Sequence, residues 1–231
     1  MKIRIKQFVQ ASLLVTTLSA STQASAALFL RDGGMVYDDV LDITWLQDAN
    51  YAKTSGYNST GKLTWEEANT WAEQLEYGGY DDWRLFNSAL DDTNCSLSTA
   101  QENTDPVYWG FNCTKNELAH LFYEDFGLTA YQRPSDATGA GAENVALFFN
   151  IGGIYWSASE YASRPENAFF FNMTNGNQAS FSKDYDIFAW AVRDGDVANS
   201  GVSEVPEPGS LALLGLVMLG LSVRRYHQAD S

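Results

Sequence analysis

Apolar and polar positions alternate most clearly in the last third of the chain. Five segments there have the pattern of β-strands: 146–150, 154–159, 168–173, 178–182 and 186–193. Segments 168–173 and 178–182 flank an Asn175-Gly176 pair, which is typical of a β-hairpin turn. The final segment alternates, so we expect one strand with Phe188, Trp190 and Val192 on the same face.

The first half of the chain instead carries a helical period. Thr64 stands three residues before Glu67, the spacing of a capping box at a helix start. One apolar stripe follows at helical spacing: Trp65, Ala68, Trp71, Ala72 and Leu75. Gly78-Gly79 is expected to end this helix.

A second helix is predicted where Thr114 and Glu117 repeat the capping-box spacing, and it runs through Leu118, Leu121 and Phe122. Short strand-like stretches lie at 28–30, 35–37, 43–46 and 83–86, and polar loops at 51–63, 88–113 and 134–141. Two helices followed by small antiparallel sheets with long loops predict an α+β domain.

The N-terminus has the features of a secretory signal peptide over 1–26. Basic residues at Lys2, Arg4 and Lys6 precede an apolar stretch at 8–18, and Ala24-Ser25-Ala26 provides the small residues that a signal peptidase needs. Cleavage is expected before Ala27. With both terminal signals removed, the exported body would cover 27–205, of which 27–197 forms the domain.

The C-terminus has the features of a second sorting signal. A linker at 198–205 leads into a segment over 206–231 with a short acidic motif, an apolar stretch at 211–223 and an arginine pair. The motif residues are Pro206, Glu207, Pro208, Arg224 and Arg225. As a helix the apolar stretch spans about 20 Å, short of the roughly 30 Å hydrocarbon core, so it would be a marginal transmembrane anchor with its arginines in the cytoplasm.

This order of motif, apolar helix and arginine pair resembles the PEP-CTERM sorting signal. An exosortase recognises and cleaves that signal in Gram-negative bacteria that make exopolysaccharide. The resemblance implies a transient inner-membrane anchor facing the periplasm, then delivery to the cell surface or the extracellular matrix.

The exported body is strongly acidic. The whole chain has a net charge of −15, and five of its 14 basic residues but only two of its 29 acidic ones lie outside 27–205, which leaves about −18 there. Such a charge disfavours nucleic acid, sulfated glycans and anionic membranes. Seven tryptophans lie in the body, and we expect most in the core with one or two free to stack on sugars.

Cys95 and Cys113 are the only cysteines. In an oxidising compartment an isolated pair is typical of a disulfide, and closing a loop of this length is worth roughly 3 kcal/mol. The pair has neither CxxC spacing nor partner histidines, so a metal or redox site is disfavoured.

Six strings together resemble the Lcl C-terminal domain family. They lie at Asp38–Leu46, Trp65–Ala68, Gly79–Leu85, Asn116–Leu118, Tyr155–Tyr161 and Ala189–Arg193. The resemblance covers nearly the whole body and implies a C-type lectin-like plan. The family's namesake domain is an adhesin domain that binds glycosaminoglycans. This chain has Phe86 where the family usually has proline, and its acidity makes a neutral or calcium-bridged polymer the easier partner.

Candidate binding residues follow from the late motif and the turn after it. Ser157, Glu160 and Tyr161 are candidates for the rim of a ligand site, or for a structural role. In the turn Lys183–Asp186, Asp184 and Asp186 flank Tyr185, an arrangement suited to a sugar or to calcium, with a solvated turn as the alternative. We expect Trp156 in the core, and Trp83 buried beside an Arg84 that pairs with a carboxylate.

Catalytic chemistry has little support in the sequence. His120 is the one histidine that remains after processing, and no GxSxG nucleophile motif is present. We expect His120 to be a surface or capped residue rather than a base. The leading hypothesis is a non-enzymatic surface or matrix protein that binds extracellular polysaccharide in a biofilm. The alternatives are a structural matrix protein without a specific ligand and, third, an enzyme acting on polysaccharide.

Overall fold

A computed structural model describes residues 28–99 and 106–197, so the predicted signal peptide, linker and sorting signal lie outside the described residues. The strands are β1 Leu28–Arg31, β2 Met35–Asp38, β3 Ile43–Leu46, β4 Lys62–Leu63, β5 Arg84–Leu85, β6 Leu97–Thr99, β7 Val107–Trp109, β8 Ile154–Glu160, β9 Asn167–Asn172, β10 Asn177–Ser182, β11 Ile187–Phe188 and β12 Ala191–Asp194. The α-helices are α1 Tyr51–Thr54, α2 Trp65–Glu73, α3 Glu117–His120 and α4 Ala140–Val145. The α+β class is therefore confirmed.

The first sheet has the order β1-β2-β3-β12-β5 and is antiparallel throughout. The C-terminal strand β12 lies between β3 and β5, so this sheet joins the N-terminal and C-terminal parts of the domain. Val192 lies opposite both Trp45 and Arg84. Three of the strings that are distant in sequence thus meet in one sheet.

The second sheet has the order β10-β9-β8-β11-β4. The β9–β10 hairpin forms around Asn175-Gly176 as predicted, with Asn172 opposite Asn177. The pairing of β8 with β11 is parallel, through Tyr155 and Phe188, which the expectation of purely antiparallel sheets did not include.

The prediction of one strand over 186–193 is wrong. The segment divides into β11 and β12, which belong to different sheets. Between them Trp190 is fully buried and its indole Nε1 donates to the Leu46 carbonyl at 2.8 Å. Residues on both faces of the segment between β11 and β12 are buried, so the pattern of apolar and polar residues does not show where one strand ends and the next begins.

Helix α2 begins as predicted. The Thr64 hydroxyl accepts from the Glu67 amide at 3.4 Å, and the Glu67 carboxylate accepts from the Thr64 amide at 3.0 Å. The helix ends at Glu73, before the glycine pair. The chain then turns, and Tyr77 and Tyr80 exchange backbone hydrogen bonds of 2.9 and 3.0 Å.

The predicted capping box at Thr114 is wrong. Helix α3 is capped by Asn116, whose side-chain oxygen accepts from the amides of Leu118 and Ala119 at 2.8 and 3.1 Å. Glu117 turns away to receive Arg84. The side-chain amide of Asn116 therefore caps the helix, the role that the sequence pattern predicts for Thr114.

Helix α3 continues directly into a π-helical turn at Leu121–Asp125, where the Phe126 amide donates to the Leu121 carbonyl at 2.9 Å. Helices α1 and α4 occupy parts of the segments expected to be loops. The predicted strand at 146–150 is wrong: it follows α4 directly, and within it only Phe149 forms a bridge, to Asp48.

The aromatic core lies between the sheets and α2. Five of the seven tryptophans are at most 3 % exposed: Trp45, Trp71, Trp83, Trp156 and Trp190. Trp65 and Trp109 are half-buried. This confirms the expectation that most of the tryptophans fill the core. No helix among residues 28–99 and 106–197 is long and apolar enough to cross a bilayer.

Candidate functional site

A small hairpin, β6–β7, lies beside the edge strand of the second sheet. Gly110 and Gln178 join them through two backbone hydrogen bonds of 2.8 Å each. The predicted disulfide is confirmed: Cys95 and Cys113 close the base of the hairpin, with their Cα atoms 4.3 Å apart. The loop expected to be irregular thus presents a defined surface next to β10.

Buried amides anchor this hairpin to the domain. The Gln178 side chain is fully buried, and its Nε2 donates to the carbonyls of Ala89 and Tyr108 at 3.3 Å. The Asn116 Nδ2 donates to the Gln178 Oε1 at 2.7 Å and to the Ser88 hydroxyl at 2.8 Å. Since buried polar groups are costly without partners, this network fixes where the hairpin stands.

A groove of about 280 Å³ opens between the hairpin and the β8–β9 turn. It is lined by Thr99, Val107, Trp109, Tyr161, Arg164, Phe169, Ala179 and Ser180. Tyr161 and Phe169 have ring centroids 5.3 Å apart and are buried, yet they do not join the main hydrophobic core. They form a separate aromatic pair beneath the hairpin.

Two polar groups of the groove have no side-chain partner in the part of the chain that the structure describes. The Trp109 Nε1 is buried and has no hydrogen-bond partner among the described residues. The exposed Arg164 guanidinium forms no ion pair with any residue of 28–99 or 106–197. A half-buried indole ring beside a guanidinium without an ion-pair partner is suited to stacking on a sugar ring and binding its hydroxyls.

The late-motif candidates occupy three different environments. Tyr161 lies in the groove. Glu160 is exposed and accepts from the Lys183 ammonium at 2.8 Å. Ser157 is fully buried and its hydroxyl donates to the Phe169 carbonyl at 3.0 Å, so the rim assignment is corrected for Ser157, which instead links β8 to β9.

The turn candidates lie apart from the groove. Tyr185 is 58 % exposed, with its ring 5.3 Å from Phe181, which stacks in turn on Phe170 at 4.2 Å. Asp184 and Asp186 are exposed, and in the described part of the chain neither belongs to a group of three possible metal ligands. A calcium site at this turn stays a prediction.

A group of three metal-ligating side chains does occur elsewhere. Asp38, His120 and Asp125 place one ligand atom each within 4.8 Å of one another. Burial, followed by the negative charge of Asp38, raises the pKa of Asp125 to about 8. Burial also raises the pKa of Asp38. The sequence favours a surface or capped role for His120, and its approach to two carboxylates depends on the fold.

Two arginines of the recognised strings have structural partners. Arg84 makes a two-point contact with Glu117 at 2.8 and 2.9 Å and also binds Asp194, while Trp83 is buried. Arg193 makes a two-point contact with Asp82 at 2.7 and 2.8 Å. Both predicted roles, indole burial and pairing of Arg84 with a carboxylate, are confirmed.

The sequence analysis does not predict that Trp109, Arg164 and Phe169 line a groove. Each lies outside the stretches that supplied the candidates. Proximity to the disulfide was the available signal for Trp109, since that loop was expected only to be irregular. For Arg164 and Phe169, which follow the late motif closely, no local pattern separates a groove residue from an ordinary strand or turn residue.

Comparison with family models matches residues 34–193 to the Lcl C-terminal domain and residues 204–225 to the PEP-CTERM protein-sorting motif. Comparison with curated proteins and with solved structures gives no match. The sorting motif indicates an exported protein that an exosortase processes and that has a transient C-terminal membrane anchor. The C-type lectin-like plan stays a prediction.

Proposed function

This chain belongs to the Lcl C-terminal domain family, and on that premise we propose that it is a non-enzymatic surface or matrix protein that binds extracellular polysaccharide. The observation that carries the proposal is the aromatic groove beneath the β6–β7 hairpin. Export and exosortase processing would bring the protein to where such polymers are found.

The groove suits a single sugar unit within a polymer. Its volume of about 280 Å³ lies near the lower end of the roughly 300–1,000 Å³ of small-molecule sites. The half-buried Trp109 provides a ring face, and Arg164 and Ser180 provide polar groups in the lining. Weak binding at each unit would add up along a polymer through multivalency.

Charge favours a neutral polymer over a sulfated one. The chain has a net charge of −15, so a polyanion is repelled at long range. Arg164 provides a local cation, and its guanidinium is able to donate to hydroxyl oxygens without a charged partner.

The test is binding of the processed, disulfide-bonded protein to a glycan array and to the exopolysaccharide of its own host. Trp109→Ala is compared with Tyr185→Ala, which removes an exposed aromatic side chain outside the groove. We expect Trp109→Ala to weaken binding by about 10- to 30-fold and Tyr185→Ala to leave it unchanged.

The outcomes separate the candidate functions and sites. Loss only in Tyr185→Ala would move the site to the turn at 183–186, and dependence of that binding on calcium would favour a metal-bridged sugar there. No binding by a folded sample would favour the structural matrix protein. Turnover of a polymer that disappears in His120→Ala would favour an enzyme.

A further inference from the structure

Three side chains that commonly bind metals converge at the turn between β2 and β3. Asp38 ends β2, His120 ends α3, and Asp125 ends the π-helical turn. One ligand atom from each lies within 4.8 Å of the other two, and the His120 Nε2 is 3.8 Å from the Asp125 Oδ2.

Four polar atoms of these side chains are buried and have no hydrogen-bond partner in the described part of the chain. Asp38 is fully buried and Asp125 is 3 % exposed. The Asp38 Oδ2, both Asp125 carboxylate oxygens and the His120 Nε2 have no hydrogen-bond partner within the described ranges. Buried polar atoms in folded proteins are almost always paired. Four such atoms in one place therefore indicate a position that suits a bound ligand.

The backbone holds the Asp38 carboxylate in one orientation. Its Oδ1 accepts from the amides of Val40 and Leu41, both at 3.0 Å. This leaves Oδ2 for the cluster. Hydrogen bonds that fix one oxygen of a carboxylate and free the other are the usual support of a metal ligand.

The π-helical turn accounts for the approach of the other two side chains. In an α-helix, residues five apart point about 140° away from each other, at about 100° per residue. The wider turn, closed by the hydrogen bond from Phe126 to Leu121, brings His120 and Asp125 onto one side. Such turns are rare and frequently occur at functional sites.

We infer that Asp38, His120 and Asp125 form a binding site for a divalent first-row transition cation, with zinc as the representative ion. One imidazole nitrogen with two carboxyl groups is a ligand set that such ions accept. Calcium prefers six to eight oxygen ligands, which fits this set less well.

The distances require only a small contraction. Three atoms at the largest separation of 4.8 Å would each lie about 2.8 Å from their common centre, compared with zinc–ligand distances of about 2.0–2.2 Å. The His120 side chain is 15 % exposed, so solvent is able to complete the coordination from that side. The site is separate from the groove and does not depend on the polysaccharide proposal.

The experiment measures zinc binding by the full protein purified after export and freed of metal with a chelator. Equilibrium dialysis with elemental analysis should give one zinc per chain, and thermal unfolding should shift upward with zinc. His120→Gln and Asp125→Asn should each weaken binding by more than about 100-fold, since even supporting residues of metal sites account for 10- to 100-fold.

The control is the double variant Asp184→Asn/Asp186→Asn, which removes two exposed carboxylates from the turn first considered for calcium. It should bind zinc like the unchanged protein. Asp125→Asn keeps the size of its side chain, so a folded variant that no longer binds zinc supports the site. Absence of zinc binding by the folded protein, equal loss in the control, or unchanged binding in His120→Gln would overturn the inference.

Discussion

The two candidate sites differ in their exposure to solvent. One is the groove beneath the β6–β7 hairpin, and the other is the cluster of Asp38, His120 and Asp125. The groove is open, with aromatic walls and one unpaired guanidinium at its edge, within the described part of the chain. The cluster is buried and has four polar atoms without partners in the same ranges. An open groove tolerates many shapes of ligand, whereas a buried cluster accepts only what satisfies its charges. The contrast fits the two proposals, polysaccharide binding in the groove and binding of a small ion in the cluster.

The two regions also have different mechanical support. A disulfide and a network of buried amides hold the groove, and both involve the loop at 88–113. The cluster depends on the end of β2 and the π-helical turn. Asn116 connects the two supports, because its Nδ2 belongs to the amide network and its Oδ1 caps α3, the helix that ends at His120. Removal of the disulfide alone should therefore leave the cluster intact, and this can be tested.

The largest effect is expected from removing the disulfide. Replacing both Cys95 and Cys113 by serine should lower the free energy of unfolding by about 3 kcal/mol, because a closed loop of 18 residues no longer restricts the unfolded chain. Denaturant unfolding measures the loss. Glycan binding should weaken as the hairpin loosens, while zinc binding should persist; simultaneous loss of both in a sample that is still folded would show that the regions are coupled.

The next effect concerns the amide network. Gln178→Ala leaves the Asn116 Nδ2 with one fewer acceptor and two backbone carbonyls without their donor, all in a buried region. We expect a cost of about 1–3 kcal/mol in the free energy of unfolding and weaker glycan binding. Asn69→Ala is a suitable comparison, since its side chain makes a single hydrogen bond within α2. A loss no larger than that of Asn69→Ala would show that the network does not hold the hairpin.

The smallest effect is a pH response outside both regions. The side-chain hydrogen bond from Arg193 lowers the pKa of Asp82. A lowered carboxyl pKa stabilises the fold above the unfolded-state pKa of about 3.9, and that contribution disappears as pH falls through the folded-state value. The Asp82 side chain is 53 % exposed, so the contribution should stay below about 1 kcal/mol.

Thermal unfolding of the protein and of Asp82→Asn, followed from pH 7 to pH 2, measures this difference. It should be constant at neutral pH and vanish at the acid end. Glycan and zinc binding at pH 7 should be the same in both proteins. A stability difference that grows as pH falls would contradict the stabilising role of the ionised Asp82 carboxylate.

Local signals in the sequence predicted the local parts of the fold. Asn175-Gly176 marked the β9–β10 hairpin, and Thr64 with Glu67 marked the start of α2, because such turns and caps are decided by adjacent residues. The break between β11 and β12 had no such signal, since the burial of Trp190 on both sides arises from two sheets that meet only in the folded state.

The sites were harder to predict for the same reason. Tyr161 was a candidate from its motif, but its neighbours Trp109 and Arg164 come from separate loops that the fold brings together. The sequence favours a surface or capped role for His120, and its contact with Asp125 depends on a π-helical turn that no sequence pattern indicates. Ser157 belonged to the same motif as Tyr161, yet it points into the sheet.

The most direct measurement is the affinity of the processed protein for the host exopolysaccharide, determined side by side for the unchanged chain, Trp109→Ala and Tyr185→Ala. We predict that binding falls by about 10- to 30-fold in Trp109→Ala alone. Equal binding by all three folded proteins, or a loss confined to Tyr185→Ala, would contradict the assignment of polysaccharide binding to the groove.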